Sequence, residues 1–107
     1  EKLISSSAAD VVTPQVPDGY YSAWAQYSVL ATDQAARQVI LDRLKLVGVP
    51  TMIYYKKPLH LQKAFANLGY QVGSFPVSEQ ASDRIFSLPM HPYLDNETIA
   101  MIVEAMA

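Results

Sequence analysis

The chain has 107 residues, a formal net charge of −2 and an apolar fraction of 50%. This length corresponds to one domain, and a charged fraction of only 17% argues against intrinsic disorder. The lack of a basic excess argues against a nucleic-acid-binding module, and the lack of cysteine excludes disulfides, thiolate metal sites and a cysteine nucleophile. No stretch reads as a signal peptide or a bilayer span, so we expect a cytoplasmic protein without nucleic-acid or membrane partners.

The first nineteen residues differ from the rest of the chain. Pro14 and Pro17 favour extended backbone before them, and Asp18 with Gly19 favours a turn. We therefore expect residues 1–19 to be a connector outside the core, followed by one small domain over residues 20–107. The sequence begins with Glu1 and not Met, so we expect either a processed chain or a piece of a longer protein.

Residues 22–31 show the period-2 alternation of a β-strand. One face carries Ala23, Ala25, Tyr27 and Val29, and the other carries Ser22, Trp24, Gln26 and Ser28. We expect the first face to be buried. A tryptophan beside a glutamine on the second face is typical of a binding surface, and the alternative is that Trp24 packs against the connector.

Residues 33–47 have the spacing of an amphipathic helix, with Thr32 as a possible cap and Gly48 as the stop. The expected buried stripe consists of Ala36, Val39, Ile40, Leu44 and Val47. Residues 49–55 then predict a second strand. This strand either pairs in parallel with the first through a right-handed crossover or lies beyond an intervening antiparallel strand.

The C-terminal half predicts short elements. We expect a helix over residues 59–68 ended by Gly69, a helix over 77–85 and a strand over 86–88. A turn at His91 and a last helix capped by Asp95 follow. The last helix has an apolar stripe of Ile99, Ile102, Val103 and Met106. The sum is an α/β (α+β) two-layer sandwich with about three strands and the helices mainly on one face.

The residues form no self-contained catalytic motif. The sequence has no Gly-x-Ser-x-Gly, dinucleotide-binding or P-loop pattern, and its two histidines, His60 and His91, lack a metal-ligand spacing. None of the five lysines lies in the apolar setting that a Schiff-base lysine needs. We therefore expect no catalytic residue and no metal or cofactor site in this chain alone.

The segment from residue 54 to residue 62 is dense in side chains suited to binding. Tyr54 and Tyr55 stand at the end of the second predicted strand, where α/β sheets often bind ligands, and His60 and Gln62 follow a turn fixed by Pro58. Because successive strand residues point to opposite faces, we expect one tyrosine to be buried and the other, Tyr55, to reach a ligand. The alternative for His60 is a structural histidine at a helix start.

Five sequence blocks, in order, resemble the C-terminal part of DegT/StrS-type nucleotide-sugar aminotransferases. They are SAWAQY at 22–27, GVPT at 48–51, YYxxPLHLQ at 54–62, FPVSE at 75–79 and SLPMHP at 87–92. The resemblance covers roughly residues 13–107 and is closest to the branch that acts on UDP-linked 3-keto sugars, including 3-keto glucuronates. Lys56 departs from the proline that relatives often carry there.

The resemblance implies the small C-terminal domain of the aspartate-aminotransferase fold. It implies a homodimeric pyridoxal-phosphate enzyme that moves an amino group from glutamate to a keto group of a nucleotide sugar, for surface polysaccharide or related sugar synthesis. The cofactor and its lysine would lie in the missing N-terminal large domain, so this chain alone should be inactive. The implied sugar contacts are Tyr54, Tyr55, His60, Gln62, Trp24 and Gln26. The alternative is a stand-alone α/β ligand-binding or regulatory domain.

Overall fold

The computed structural model describes residues 10–90 and 94–107, so the expected turn at His91 lies outside the described residues. A three-stranded sheet has the order β1–β2–β3, with both pairs antiparallel. The strands are β1 Val11–Val12, β2 Tyr27–Ala31 and β3 Ile85–Leu88, and the α-helices are α1 Gln34–Leu46, α2 Pro76–Arg84 and α3 Asn96–Met106. The expected small α+β fold with a three-stranded sheet is confirmed.

The central strand β2 organises the core. Its alternate residues Tyr27, Val29 and Ala31 are buried, and Val29 lies opposite the fully buried Phe86 of β3. Aromatic and β-branched side chains favour this half-buried pleated surface. The neighbouring register pair, Ser28 opposite Ser87, therefore lies on the other face of the sheet.

Helices α1 and α3 cover the apolar face of the sheet. Their buried side chains join the core cluster of β2 and β3; they are Ile40, Leu44, Ile102, Val103 and Met106. Asp95 caps α3 as expected, whereas the cap of α1 is Asp33 and not Thr32, because the Asp33 carboxylate accepts the Ala36 N–H at 2.7 Å. No helix in the described ranges is long and apolar enough to cross a bilayer.

Two predicted positions in the stripe of α1 are wrong. Val39 and Val47 are about half exposed, because the sheet and α3 cover only the narrow side of α1 that carries Ile40 and Leu44. A stripe drawn at helical spacing can be wider than the surface that actually packs against it.

The first predicted strand is too long at its start. Residues 22–26 are not part of β2, and Trp24 has a φ of +49°, a left-handed conformation that interrupts extended pairing. The second predicted strand is reduced to one bridge, in which Met52 exchanges backbone hydrogen bonds of 3.2 and 2.8 Å with Ser87. Strand β3 thus lies between β2 and Met52, which confirms the layout with an intervening antiparallel strand and excludes direct parallel pairing.

The connector contributes to the sheet, contrary to expectation. Val11 and Val12 pair with Ala31 and Leu30, and Val11 packs against the core cluster. Two β-branched residues suffice because the edge of β2 offers free backbone groups next to the core. Residues 1–9 lie outside the described part, and the domain boundary near residue 19 stays a prediction.

Residues 59–75, which we call the arm, differ from the predicted helix over 59–68. They contain two 3₁₀ helices, Leu59–Leu61 and Lys63–Leu68, and neither has a buried residue. Gly69 ends the second at a φ of +79°, as expected of a helix-stopping glycine. Without a packed apolar face, a short segment has little to stabilise a regular α-helix.

Candidate functional site

The sheet face opposite the helices forms an open groove of about 210 Å³. Its lining includes Gln26, Thr51, Met52, Tyr54, Ser87 and Met90. Pockets for whole ligands usually measure roughly 300–1,000 Å³. The groove is therefore large enough for part of a ligand only, and the remainder would have to be held by another surface.

The bridge between Met52 and Ser87 places Tyr54 in the groove. Because strand side chains alternate, Tyr54 lies on the same side as Met52, whereas Ile53 points toward the core, against which it is partly buried. Tyr55 lines the adjoining smaller recess of the groove. Tyr54 is 52% and Tyr55 70% exposed, so the expectation that one tyrosine would be buried is wrong. The residue that contacts the core is Ile53.

A pair of serine hydroxyls lies in the same recess. The Oγ atoms of Ser28 and Ser87 are 2.7 Å apart across β2 and β3, and Ser87 is only 5% exposed. Each hydroxyl has more hydrogen-bonding capacity than this one contact uses. Strand alternation in the sequence places Ser28 on the polar face, but no local pattern points to Ser87, because the strand register that joins the two residues is a long-range property.

Trp24 and Gln26 separate in the structure. Gln26 lines the groove together with Tyr54, as expected. Trp24 instead packs against the core cluster, with its ring 5.0 Å from that of Tyr27, and its backbone N–H donates to Ser22 Oγ at 3.2 Å. The left-handed backbone at Trp24 breaks the strand alternation on which a shared face with Gln26 depended.

His60 and Gln62 lie in the arm. The His60 side chain is 8% exposed, and its Nε2 lies 3.4 Å from Oε2 of Glu79 in α2. The His60 ring also meets Phe75 edge-on, at 4.8 Å between centroids. Gln62 Nε2 donates to the Lys57 carbonyl at 3.4 Å. His60 thus contacts the end of the arm and α2, whereas Gln62 contacts the chain just before the arm.

Glu79 is a further residue that the chemistry-based reading of the sequence did not single out. Its carboxylate accepts the Gly73 N–H at 2.8 and 3.1 Å and the Phe75 N–H at 3.1 Å. The Gly73 hydrogen bond has the largest effect and lowers the pKa of Glu79. Desolvation, the next largest effect, raises the pKa, and the Phe75 and His60 contacts lower it, so that the net shift is downward. A glutamate four residues after Phe75, at a helix start, was the available signal.

Comparison with known proteins shows the family. Residues 3–107 match the DegT/DnrJ/EryC1/StrS aminotransferase family. The chain belongs to this family. It is 41% identical over 107 residues to a Geobacillus stearothermophilus protein named pleiotropic regulatory protein. It is 35% identical over 103 residues to the UDP-2-acetamido-2-deoxy-3-oxo-D-glucuronate aminotransferase of Pseudomonas aeruginosa. These alignments cover 99% and 96% of the chain.

Solved structures agree. A DegT DnrJ EryC1 StrS aminotransferase from Brucella abortus superposes with a TM-score of 0.82 at 39% identity over 98% of the chain. A Streptococcus pneumoniae putative sugar aminotransferase, solved in a PLP form, shares the fold with a TM-score of 0.80 at 22% identity. The chain spans about a quarter of the length of these four proteins, from 26% to 28%.

The residues that the structure describes in this DegT-family chain do not fit a pyridoxal-phosphate site. The four described lysines, Lys45, Lys56, Lys57 and Lys63, are all exposed, whereas a Schiff-base lysine needs a desolvated pocket. Over residues 10–90 and 94–107, no group of three or more potential metal ligands comes together. What the groove offers is binding chemistry: an amide, phenols and hydroxyls beside the apolar side chains of Met52 and Met90.

Proposed function

We propose that this chain is the small C-terminal domain of a pyridoxal-phosphate-dependent nucleotide-sugar aminotransferase. The longer enzyme would transfer an amino group from an amino acid, with glutamate the expected donor, to a keto group of a nucleotide sugar. The family match over residues 3–107 carries this proposal. The Pseudomonas relative, whose name specifies a UDP-linked 3-oxo-glucuronate, favours a UDP-linked 3-keto sugar as substrate.

In this proposal the groove holds part of the sugar nucleotide. The Gln26 amide can both donate to and accept from a sugar hydroxyl, and the phenols of Tyr54 and Tyr55 can donate to a hydroxyl or a uronate oxygen. All three side chains line the same recess of the groove, which supports the assignment. His60 and Gln62 would act by holding the arm beside the groove, and Trp24 by fixing the chain that leads into β2.

The chain's contribution is to bind, orient and exclude water. Pyridoxal phosphate, when bound by the longer enzyme, supplies the electron sink for amino transfer. Orientation alone contributes to the rate because reacting groups must meet in a narrow range of geometries. We propose that the Schiff-base lysine and the phosphate site belong to an N-terminal large domain, that the enzyme is a cytoplasmic homodimer, and that it serves surface polysaccharide or related sugar synthesis.

The decisive experiment uses the longer gene product that contains residues 1–107. Incubation with ¹⁵N-glutamate and a UDP-linked 3-keto sugar should move the label to the sugar, detected by mass spectrometry. A dTDP-linked 3-keto sugar serves as the matched control for the nucleotide. Label on neither sugar, with pyridoxal phosphate bound, would overturn the proposal. The 107-residue chain alone should transfer no label.

The second candidate is a regulatory or ligand-binding domain without catalysis. The name of the Geobacillus relative, pleiotropic regulatory protein, is the observation that favours it. The two candidates differ in the fate of the sugar. A regulator binds a nucleotide sugar without changing its mass, whereas the aminotransferase replaces a carbonyl oxygen with an amine.

A further inference from the structure

The arm is attached to the rest of the molecule mainly through polar contacts. Apart from the His60 side chain, its two 3₁₀ helices bury little, and three of its large apolar side chains, Leu59, Leu68 and Val72, are 58–83% exposed. A segment that buries so little apolar surface gains little from the hydrophobic effect. Its position must therefore depend on specific contacts, and the structure concentrates these contacts on one side chain.

That side chain is Glu79 in the first turn of α2. Its two carboxylate oxygens accept the backbone N–H groups of Gly73 and Phe75, at the end of the arm, and contact His60 Nε2, near its beginning. The rings of His60 and Tyr70 each meet Phe75 edge-on, at 4.8 and 4.9 Å. One carboxylate thus ties both ends of the arm to the same helix.

Helix α2 is itself fixed to the core. Arg37 of α1 donates to the carbonyl of Ser82 at 2.8 Å, and Arg84 Nε donates to the carbonyl of Ala31 in β2 at 2.6 Å. Hydrogen bonds from charged donors are stronger than those between neutral groups. Glu79 therefore connects a weakly packed segment to a firmly held one.

The beginning of the arm is close in sequence to the groove. Only residues 56–58 separate Tyr55 from Leu59, so the position of His60 limits where the chain can carry Tyr54 and Tyr55. We propose that Glu79 is a positioning residue, a latch that holds the arm on α2 and thereby fixes the tyrosine end of the groove. This inference does not depend on the proposed activity.

The latch requires a carboxylate and not merely a polar side chain. The backbone groups of Gly73 and Phe75 that meet it are N–H donors, and a carboxylate offers only acceptor sites. In Glu79→Gln one acceptor oxygen is replaced by an NH₂ group of nearly the same shape. The new NH₂ group would then face a backbone N–H, and two donors cannot form a hydrogen bond with each other. The substitution therefore removes the negative charge and one of the two acceptor oxygens while conserving side-chain volume.

The test measures amide hydrogen exchange by NMR in the 107-residue chain. In Glu79→Gln the protection of the Gly73 and Phe75 amides should fall roughly 10- to 100-fold, because their acceptor loses its negative charge. The protection of Val29 and Phe86 in the sheet should change less than threefold. The ring resonances of Tyr54 and Tyr55 should shift, which a role confined to the arm would not produce.

Glu97→Gln is the matched control, because Glu97 also stands in the first turn of a helix. It should leave the exchange of Gly73 and the tyrosine resonances unchanged. Unchanged protection of Gly73 and Phe75 in Glu79→Gln would overturn the proposal, as would an equal loss of protection throughout the sheet. The proposal would also be overturned if Gly73 and Phe75 lost protection while the ring resonances of Tyr54 and Tyr55 stayed unchanged. That result would show that Glu79 does not influence the groove.

Discussion

The core and the arm are held in place by different kinds of interaction. In the core, apolar side chains of β2, β3, α1 and α3 exclude water, and Leu44, Val29 and Phe86 have at most 1% of their surface exposed. In the arm, residues 59–75, no 3₁₀ helix has a buried residue and a single carboxylate gathers the contacts. The core should therefore respond to changes in side-chain volume, and the arm to changes in charge.

The groove lies where the two regions meet. Its floor, which includes Ser28 and Ser87, belongs to the sheet, and its tyrosine end leads directly into the arm. Parts of a fold with few buried apolar contacts open more readily than the core. A binding surface at such a border combines a rigid floor with an adjustable rim.

The largest expected effect comes from the core side of the comparison. Leu44→Ala should destabilise the 107-residue chain by about 2–5 kcal/mol, because it removes a fully buried side chain and leaves a cavity. Leu46→Ala is the matched control in the same helix, since Leu46 is 87% exposed and should change stability by less than about 0.5 kcal/mol. Urea denaturation followed by circular dichroism measures both. An equal loss of unfolding free energy in the two variants would show that Leu44 is not a core residue.

The next effect tests the end of a core helix. Asp33→Ala should cost about 0.5–2 kcal/mol, because it removes the acceptor of the Ala36 N–H at the start of α1. Asp33→Asn keeps an acceptor in the same place and should cost clearly less. The same denaturation measurement distinguishes the two variants. A loss in Asp33→Asn as large as in Asp33→Ala would point to the charge of Asp33 and not to its capping bond.

Local sequence patterns predicted the core well. Caps, helix stops and alternation located α1, α3 and the apolar face of β2, because those signals act within a few residues. Phe86 and Ser87 show the limit. Their strand was expected, but its place between β2 and Met52, which creates the groove, depends on pairing between residues about 60 and 35 positions apart.

The same limit explains the arm and part of the site. The apolar pattern over residues 59–68 fits an α-helix, yet its apolar side chains do not join the core cluster, and 3₁₀ turns result. Family resemblance supplied the tyrosines and Gln26, which the structure brings to one groove. The resemblance also placed His60 in the same sugar-binding set. In the structure His60 instead contacts Glu79, which lies nineteen residues further along the chain.

A smaller effect compares two tyrosines of similar exposure on either side of the border. In the longer enzyme, Tyr54→Phe should raise the KM for the nucleotide sugar about 2- to 10-fold, since one hydrogen bond contributes roughly 0.5–1.5 kcal/mol. Tyr70→Phe in the arm is the control: Tyr70 is 48% exposed and Tyr54 52%, and it should leave this KM unchanged. Steady-state kinetics with saturating glutamate measures both. A larger effect of Tyr70→Phe would move the proposed sugar site from the groove floor to the arm.

The smallest expected effect is a pH dependence confined to the arm. Hydrogen bonds from Gly73 and Phe75 hold the pKa of Glu79 below its ordinary value of 4.5. A lowered pKa means that the latched state favours the carboxylate, so its stabilising contribution is complete above pH 4.5 and is lost as the pH falls through the lowered pKa. His60 is the titratable group that contacts Glu79 from the arm. Exchange protection of Gly73, corrected for intrinsic exchange rates, should therefore fall in acid while Val29 stays protected. In Glu79→Gln this acid-dependent step should be absent. Protection of Gly73 that stays unchanged in acid would contradict this prediction.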